Sequence, residues 1–150
     1  MEQGTIEREI FIEATPEIVY DVLSNPEHVR HWWSDASYEL TPGTPGGQIT
    51  FGDGAKTAAL TVVDASFPRT FAFRWTHPAG TAPVEGNSLL VTFELTPSAG
   101  GTLVRFTETG FREQGWTAAQ QQLIHDDHAS GWDYYLPRIA PYVAGLEVRP

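Results

Sequence analysis

Residues 88–109, SLLVTFELTPSAGGTLVRFTET, decide the fold. Val91, Phe93 and Leu95 fall on one face of the first half, and Val104 and Phe106 on one face of the second. Alternation with a period of two belongs to strands half buried against a core. Ser98-Ala99-Gly100-Gly101 separates the halves with small, turn-forming residues, so the two strands are expected to pair as an antiparallel hairpin. The same alternation, carried two residues past Phe106, places Glu108 on the apolar face. A carboxylate there is the most informative residue of the chain.

Upstream of the hairpin the pattern repeats. Strands are expected over 48–51, 57–65 and 70–76, with Phe71, Phe73 and Trp75 on one face of the last. Turns are marked at 42–47, at Asp53-Gly54 and at Phe67-Pro68, and 78–87 is a polar excursion. At the N-terminus, 6–14 alternates: Ile6, Ile10 and Ile12 face one way, Glu7, Glu9 and Glu13 the other. Thr15-Pro16 and then Asn25-Pro26 each combine an N-cap with a proline at the first helical position, so two short helices follow the first strand. The second ends near Trp32-Trp33.

After Gly110 the period becomes helical. Trp132, Leu136, Ile139 and Val143 recur at spacings of three and four, and His125 and His128 extend that face backwards. Pro137 and Pro141 either kink this helix or break it. The sum is an α+β chain: a curved antiparallel sheet of six to seven strands around a long C-terminal helix, with two short helices after strand one. Residues 1–150 are expected to form one domain. A sheet with one apolar face needs a cover, and a helix gripped by it leaves space for a pocket at one end.

Nine Lys and Arg stand against 19 Asp and Glu, a formal net charge of −10, and Arg69, Arg74, Arg105, Arg112 and Arg138 are scattered. A phosphate backbone would be repelled, so nucleic acid is not an expected partner. The absence of cysteine excludes disulfides and thiolate chemistry. No basic stretch followed by an apolar run opens the chain, and no segment has the ~20 apolar residues of a spanning helix, so a cytoplasmic protein without membrane contact is expected.

Several motifs occur in an order that resembles a known family: Arg8 through Ala14-Thr15-Pro16 into Val19-Tyr20, Asn25-Pro26-Glu27, and Arg30-His31-Trp32-Trp33. Pro45-Gly46-Gly47, Asp53-Gly54, Phe67-Pro68-Arg69 and Phe73-Arg74-Trp75 follow, then 91–95, 107–111 and His128 through Gly131-Trp132. The set resembles the START-like (SRPBCC) helix-grip superfamily, in the branch named for the activator of Hsp90 ATPase. The resemblance implies the helix-grip fold and a cavity for a hydrophobic or amphipathic small molecule. It implies no universal catalytic residue, while leaving open a chaperone contact and a homodimer.

Glu108 and His128 are the candidate chemical groups. A buried carboxylate beside an imidazole can act as an acid–base pair. Glu108 could instead meet water at the strand end or pair with an arginine or histidine, and His128 could be satisfied at the helix start. His125-Asp126-Asp127-His128 lacks a third ligand at a recognisable spacing, so neither metal nor cofactor is expected. The expected pocket is lined by Trp32, Trp33, Phe71, Phe73, Trp75, Phe93, Phe106, Glu108, His128 and Trp132, although tryptophans such as these also serve as plain core. Arg74 is expected to face solvent. Arg8, on the Ile6/Ile10 face, is a candidate counter-ion for an anionic guest. Three functions compete: binding of a small hydrophobic ligand, a cavity enzyme of the cyclase, dehydratase or hydrolase type, and an Hsp90-interacting domain.

Overall fold

A computed structural model describes residues 4–51, 54 and 56–147, and Asp53 of the expected Asp53-Gly54 turn lies outside the described residues. Strand β1 (Thr5–Ile12) is followed by helices α1 (Pro16–Ser24) and α2 (Pro26–Trp32). Then come β2 (Asp35–Ser37), β3 (Gln48–Phe51), β4 (Lys56–Ser66), β5 (Thr70–Trp75), β6 (Leu89–Ser98) and β7 (Gly101–Thr109). Helices α3 (Ala118–Tyr135) and α4 (Ile139–Glu147) close the order. The seven strands form one antiparallel sheet in the order β1-β7-β6-β5-β4-β3-β2. This is the START-like helix-grip architecture expected from the sequence.

The hairpin of β6 and β7 sets the register of the core. Val62, Phe73, Val91, Glu108 and Ile6 stand opposite one another in sequence across five strands. Each of the five is 2% exposed or less, so Glu108 occupies a place in a row of apolar side chains. The next row, Phe71, Phe93 and Phe106, ends at Arg8 on β1. A register shift between Val62 and Asp64 marks a bulge in β4, a feature that bends a strand and increases its twist.

Two caps start the short helices as their sequences require. Thr15 Oγ1 accepts from the Ile18 amide and Asn25 Oδ1 from that of Glu27. Trp32 Nε1 donates to the Val22 carbonyl at 2.9 Å, which fixes α2 on α1. The terminal helix begins with a capping box between Thr117 and Gln120. Pro137 sits in a single 3₁₀ turn, Leu136–Arg138, and Pro141 in the first turn of α4, where a missing N–H costs least. The chain stays helical through both prolines. Trp132, Leu136, Ile139 and Val143 are all 2% exposed or less, so the grip lies on the expected residues. No described helix is long and apolar enough to cross a membrane.

Candidate functional site

Glu108 is fully buried and holds three elements together. Its Oε2 accepts from Trp75 Nε1 at 2.8 Å, at the end of β5. Its Oε1 accepts from Trp132 Nε1 at 2.9 Å, on α3. His128, one helical turn before Trp132, places Nδ1 at 3.1 Å from both oxygens. Residues four apart share a helix face, so α3 delivers both groups to one carboxylate. Burial lowers the pKa of His128 and is the largest single influence. The hydrogen bond to Glu108, the charge of Glu108 and that of Asp127 together outweigh it against a smaller opposing effect of Lys56, and the net pKa lies above the ordinary 6.5.

Beside this cluster a cavity of about 450 Å³ opens between α3 and the β3–β5 end of the sheet. Its aromatic walls are Trp33, Phe51, Trp75, Trp132 and Tyr135, and its polar groups include Lys56, Asp127 and His128. The rings of Trp33 and Trp132 are 4.8 Å apart, and those of Trp75 and His128 5.3 Å. A neighbouring hollow of about 490 Å³ shares Thr76 and His128 with the first and carries Trp116 and Gln114. Thr76 adopts φ +69°, a conformation rare outside glycine and often found at functional positions. A larger hollow, about 850 Å³, lies on the reverse face of β4 beside Thr61 and His77. It is walled largely by Gly, Pro, Ala and Thr and has no Phe, Tyr or Trp in its lining, so the aromatic cavity alone of these two offers a guest ring-to-ring contact.

The sequence profile of the family described as "Activator of Hsp90 ATPase homolog 1-like protein" matches residues 13–144. The chain belongs to that family. Among solved structures, protein MLL2253 from Mesorhizobium loti matches with a TM-score of 0.75 at 22% identity, covering 93% of this chain and 96% of that one. The Aha1 dimer from Colwellia psychrerythraea matches at 0.68 and 23%, covering 93% and 95%. DynU16, from the dynemicin biosynthetic locus, matches at 0.72 and 20%, covering 94% of this chain and 47% of DynU16. At these identities the likeness establishes the fold. No curated protein matches the chain.

Within this member of the activator family, the expected pocket residues divide. Trp33, Trp75, His128 and Trp132 line the cavity, and Glu108 stands directly behind it. Trp32, Phe71, Phe73, Phe93 and Phe106 do not line it. They are buried at 2% or less in the solid core. Tyr20 of α1 and Tyr38 pack on Phe71, Trp32 of α2 on Phe93, and Trp33 on Phe73, so the short helices cover this part of the inner face. Alternation finds the inward face but cannot say which stretch of it stays uncovered. Of the residues missed, Phe51, Lys56 and Ala58 join the wall from β3 and β4 by this route, and Gly131 and Tyr135 join it from α3, beside the helix face that carries Trp132.

Arg8 is not a cavity counter-ion. Its Nε lies 2.7 Å from Asp133 Oδ1 and ties β1 to α3. Arg74 is half-buried, with Nη1 3.4 Å from Ser88 Oγ, and does not simply face solvent. His125 turns away from His128: its Nε2 lies 3.1 Å from the Thr5 carbonyl. Among the described residues no group of three or more His, Asp or Glu is arranged to hold a metal ion.

Proposed function

We propose that this chain binds a small hydrophobic or amphipathic molecule in the cavity between α3 and the β3–β5 end of the sheet. The observation that carries this reading is a hollow of about 450 Å³ with five aromatic side chains in its wall. Small-molecule sites are typically about 300–1,000 Å³, mostly apolar, with a few placed polar groups. Here His128 is the polar group held most firmly, through Glu108. Native mass spectrometry of the purified protein, followed by thermal shift with lipid, polyketide and aromatic libraries, tests the reading. A ligand-dependent rise in Tm that grows with ligand concentration is expected. No mass adduct and no shift with any library would overturn it.

The Glu108–His128 contact at 3.1 Å favours a second reading, acid–base catalysis within the cavity. Glu108 is fully buried, so His128 would be the group that touches a substrate and Glu108 would position it. Cyclase, dehydratase or hydrolase turnover by the unaltered protein, lost in His128→Phe, is the supporting result. A chaperone contact rests on the family's name, and Hsp90 ATPase rates with and without the protein decide it. A homodimer, as in the Colwellia structure, is tested by sedimentation.

A further inference from the structure

Glu108 determines which nitrogen of His128 is left for a guest. Trp75 and Trp132 donate to its two oxygens, and an indole nitrogen is a donor only. As a carboxylate Glu108 can only accept, and in that form His128 meets it with its proton on Nδ1. Nε2 makes no hydrogen bond to any other described residue, while the ring borders both the aromatic cavity and the neighbouring hollow. In the neutral ring that nitrogen is a bare acceptor. In the charged ring it is an N–H donor.

Guest groups respond differently to these two states. A carbonyl or ether oxygen only accepts, so it can pair with the charged ring alone. An N–H group that only donates can pair with the neutral ring alone. A hydroxyl does both. The charged groups around His128 are Glu108 from β7, Lys56 from β4 and Asp127 on its own helix, and His125 one turn earlier is engaged with Thr5. With His128 charged these formal charges cancel, and with it neutral one negative charge remains, so in neither state does the site favour a permanently anionic guest. The aromatic walls favour a flat ring.

We infer that the guest is a phenol: an aromatic molecule whose hydroxyl lies against Nε2 of His128. The inference rests on the ligand-binding reading above and adds the chemical class. In either protonation state of the ring, one proton lies between the phenol oxygen and Nε2, so the contact survives a change of pH. The raised pKa of His128 extends the charged form toward neutral pH and makes that tolerance useful. Gly131 on the cavity wall provides a control, since a Cβ built there meets no heavy atom within 4 Å.

The test uses calorimetric titration of the unaltered protein with 2-naphthol, its methyl ether and naphthalene, on either side of neutral pH. The expected result is 2-naphthol binding about tenfold more tightly than the ether at both pH values, the effect of one hydrogen bond to a partly charged group. In folded His128→Phe, 2-naphthol and the ether are expected to bind alike. Equal affinities in the unaltered protein would overturn the phenol assignment and leave the cavity reading standing. Binding of none of the three, with Gly131→Leu indistinguishable from the parent, would overturn both. A hydroxyl advantage retained in His128→Phe would overturn the role of His128.

Discussion

Replacing Glu108 with alanine strands two indole N–H groups in the core. Trp75 and Trp132 are 7% and 2% exposed, so neither nitrogen finds water in place of the carboxylate. An unsatisfied buried donor costs about 1–3 kcal/mol, which gives about 2–6 kcal/mol for the two. His128, with 15% of its side chain exposed, can turn its nitrogen toward the cavity and adds less. The space vacated between Val91 and Ile6 destabilises further, while removing the buried carboxylate relieves its desolvation. The net expectation is a loss of about 3–5 kcal/mol, the range for removing one partner of a buried charged cluster.

Glu108→Gln keeps the shape but offers one acceptor oxygen, and its amide N–H must face another donor. Its expected cost is smaller, about 1–3 kcal/mol. Urea unfolding followed by tryptophan fluorescence measures both, compared through midpoints at equal slope. A loss below about 1 kcal/mol for the alanine variant, or a glutamine variant as damaged as the alanine one, would refute the reasoning.

Gly131→Leu should stabilise the protein by about 0.5–1 kcal/mol, since glycine is a poor helix residue, while filling the cavity and abolishing the thermal shift from any cavity ligand. The two histidines with displaced pKa values should act with opposite signs. His128, raised from 6.5, contributes stability that is complete below that pH and is lost as pH rises through its folded value. His77, lowered by burial, contributes stability present above 6.5 and lost as pH falls. Unfolding midpoints against pH for His128→Phe and His77→Phe, each set against the parent, check both slopes. Thr117→Ala removes the hydroxyl that accepts from Gln120 N at 3.1 Å and should cost about 0.5–2 kcal/mol by chemical denaturation. Arg8→Ala breaks a surface pair with side chains 36% and 59% exposed, so a loss of no more than about 1 kcal/mol and unchanged ligand affinity are expected.

Much of this architecture was legible because local and tertiary preferences agree. Thr15-Pro16 and Asn25-Pro26 start helices where their caps form, and the alternation through Phe106 puts Glu108 inward, where the structure buries it completely. Other features carry no local signal. Strand β2 is only three residues long, Asp-Ala-Ser, and exists through its pairing with β3. Phe111 follows the positive-φ Gly110 outside any periodic run, yet it is fully buried and packs its ring against His125 and His128. The cavity depends on where α1 and α2 cross the sheet, a tertiary fact that alternation cannot encode. Arg8 reads as an inward cation, but its long side chain carries the charge out to Asp133 at the rim.

The central claim is that a guest enters between α3 and the sheet beside the Glu108 cluster. The most direct measurement is the movement of the five indole N–H resonances in a nitrogen–proton correlation spectrum during titration with 2-naphthol. Trp33, Trp75 and Trp132 should shift together and saturate, because all three border the cavity, while Trp32, bound to the Val22 carbonyl inside the core, should stay in place. Saturable shifts that leave Trp33 and Trp132 unmoved would contradict the account.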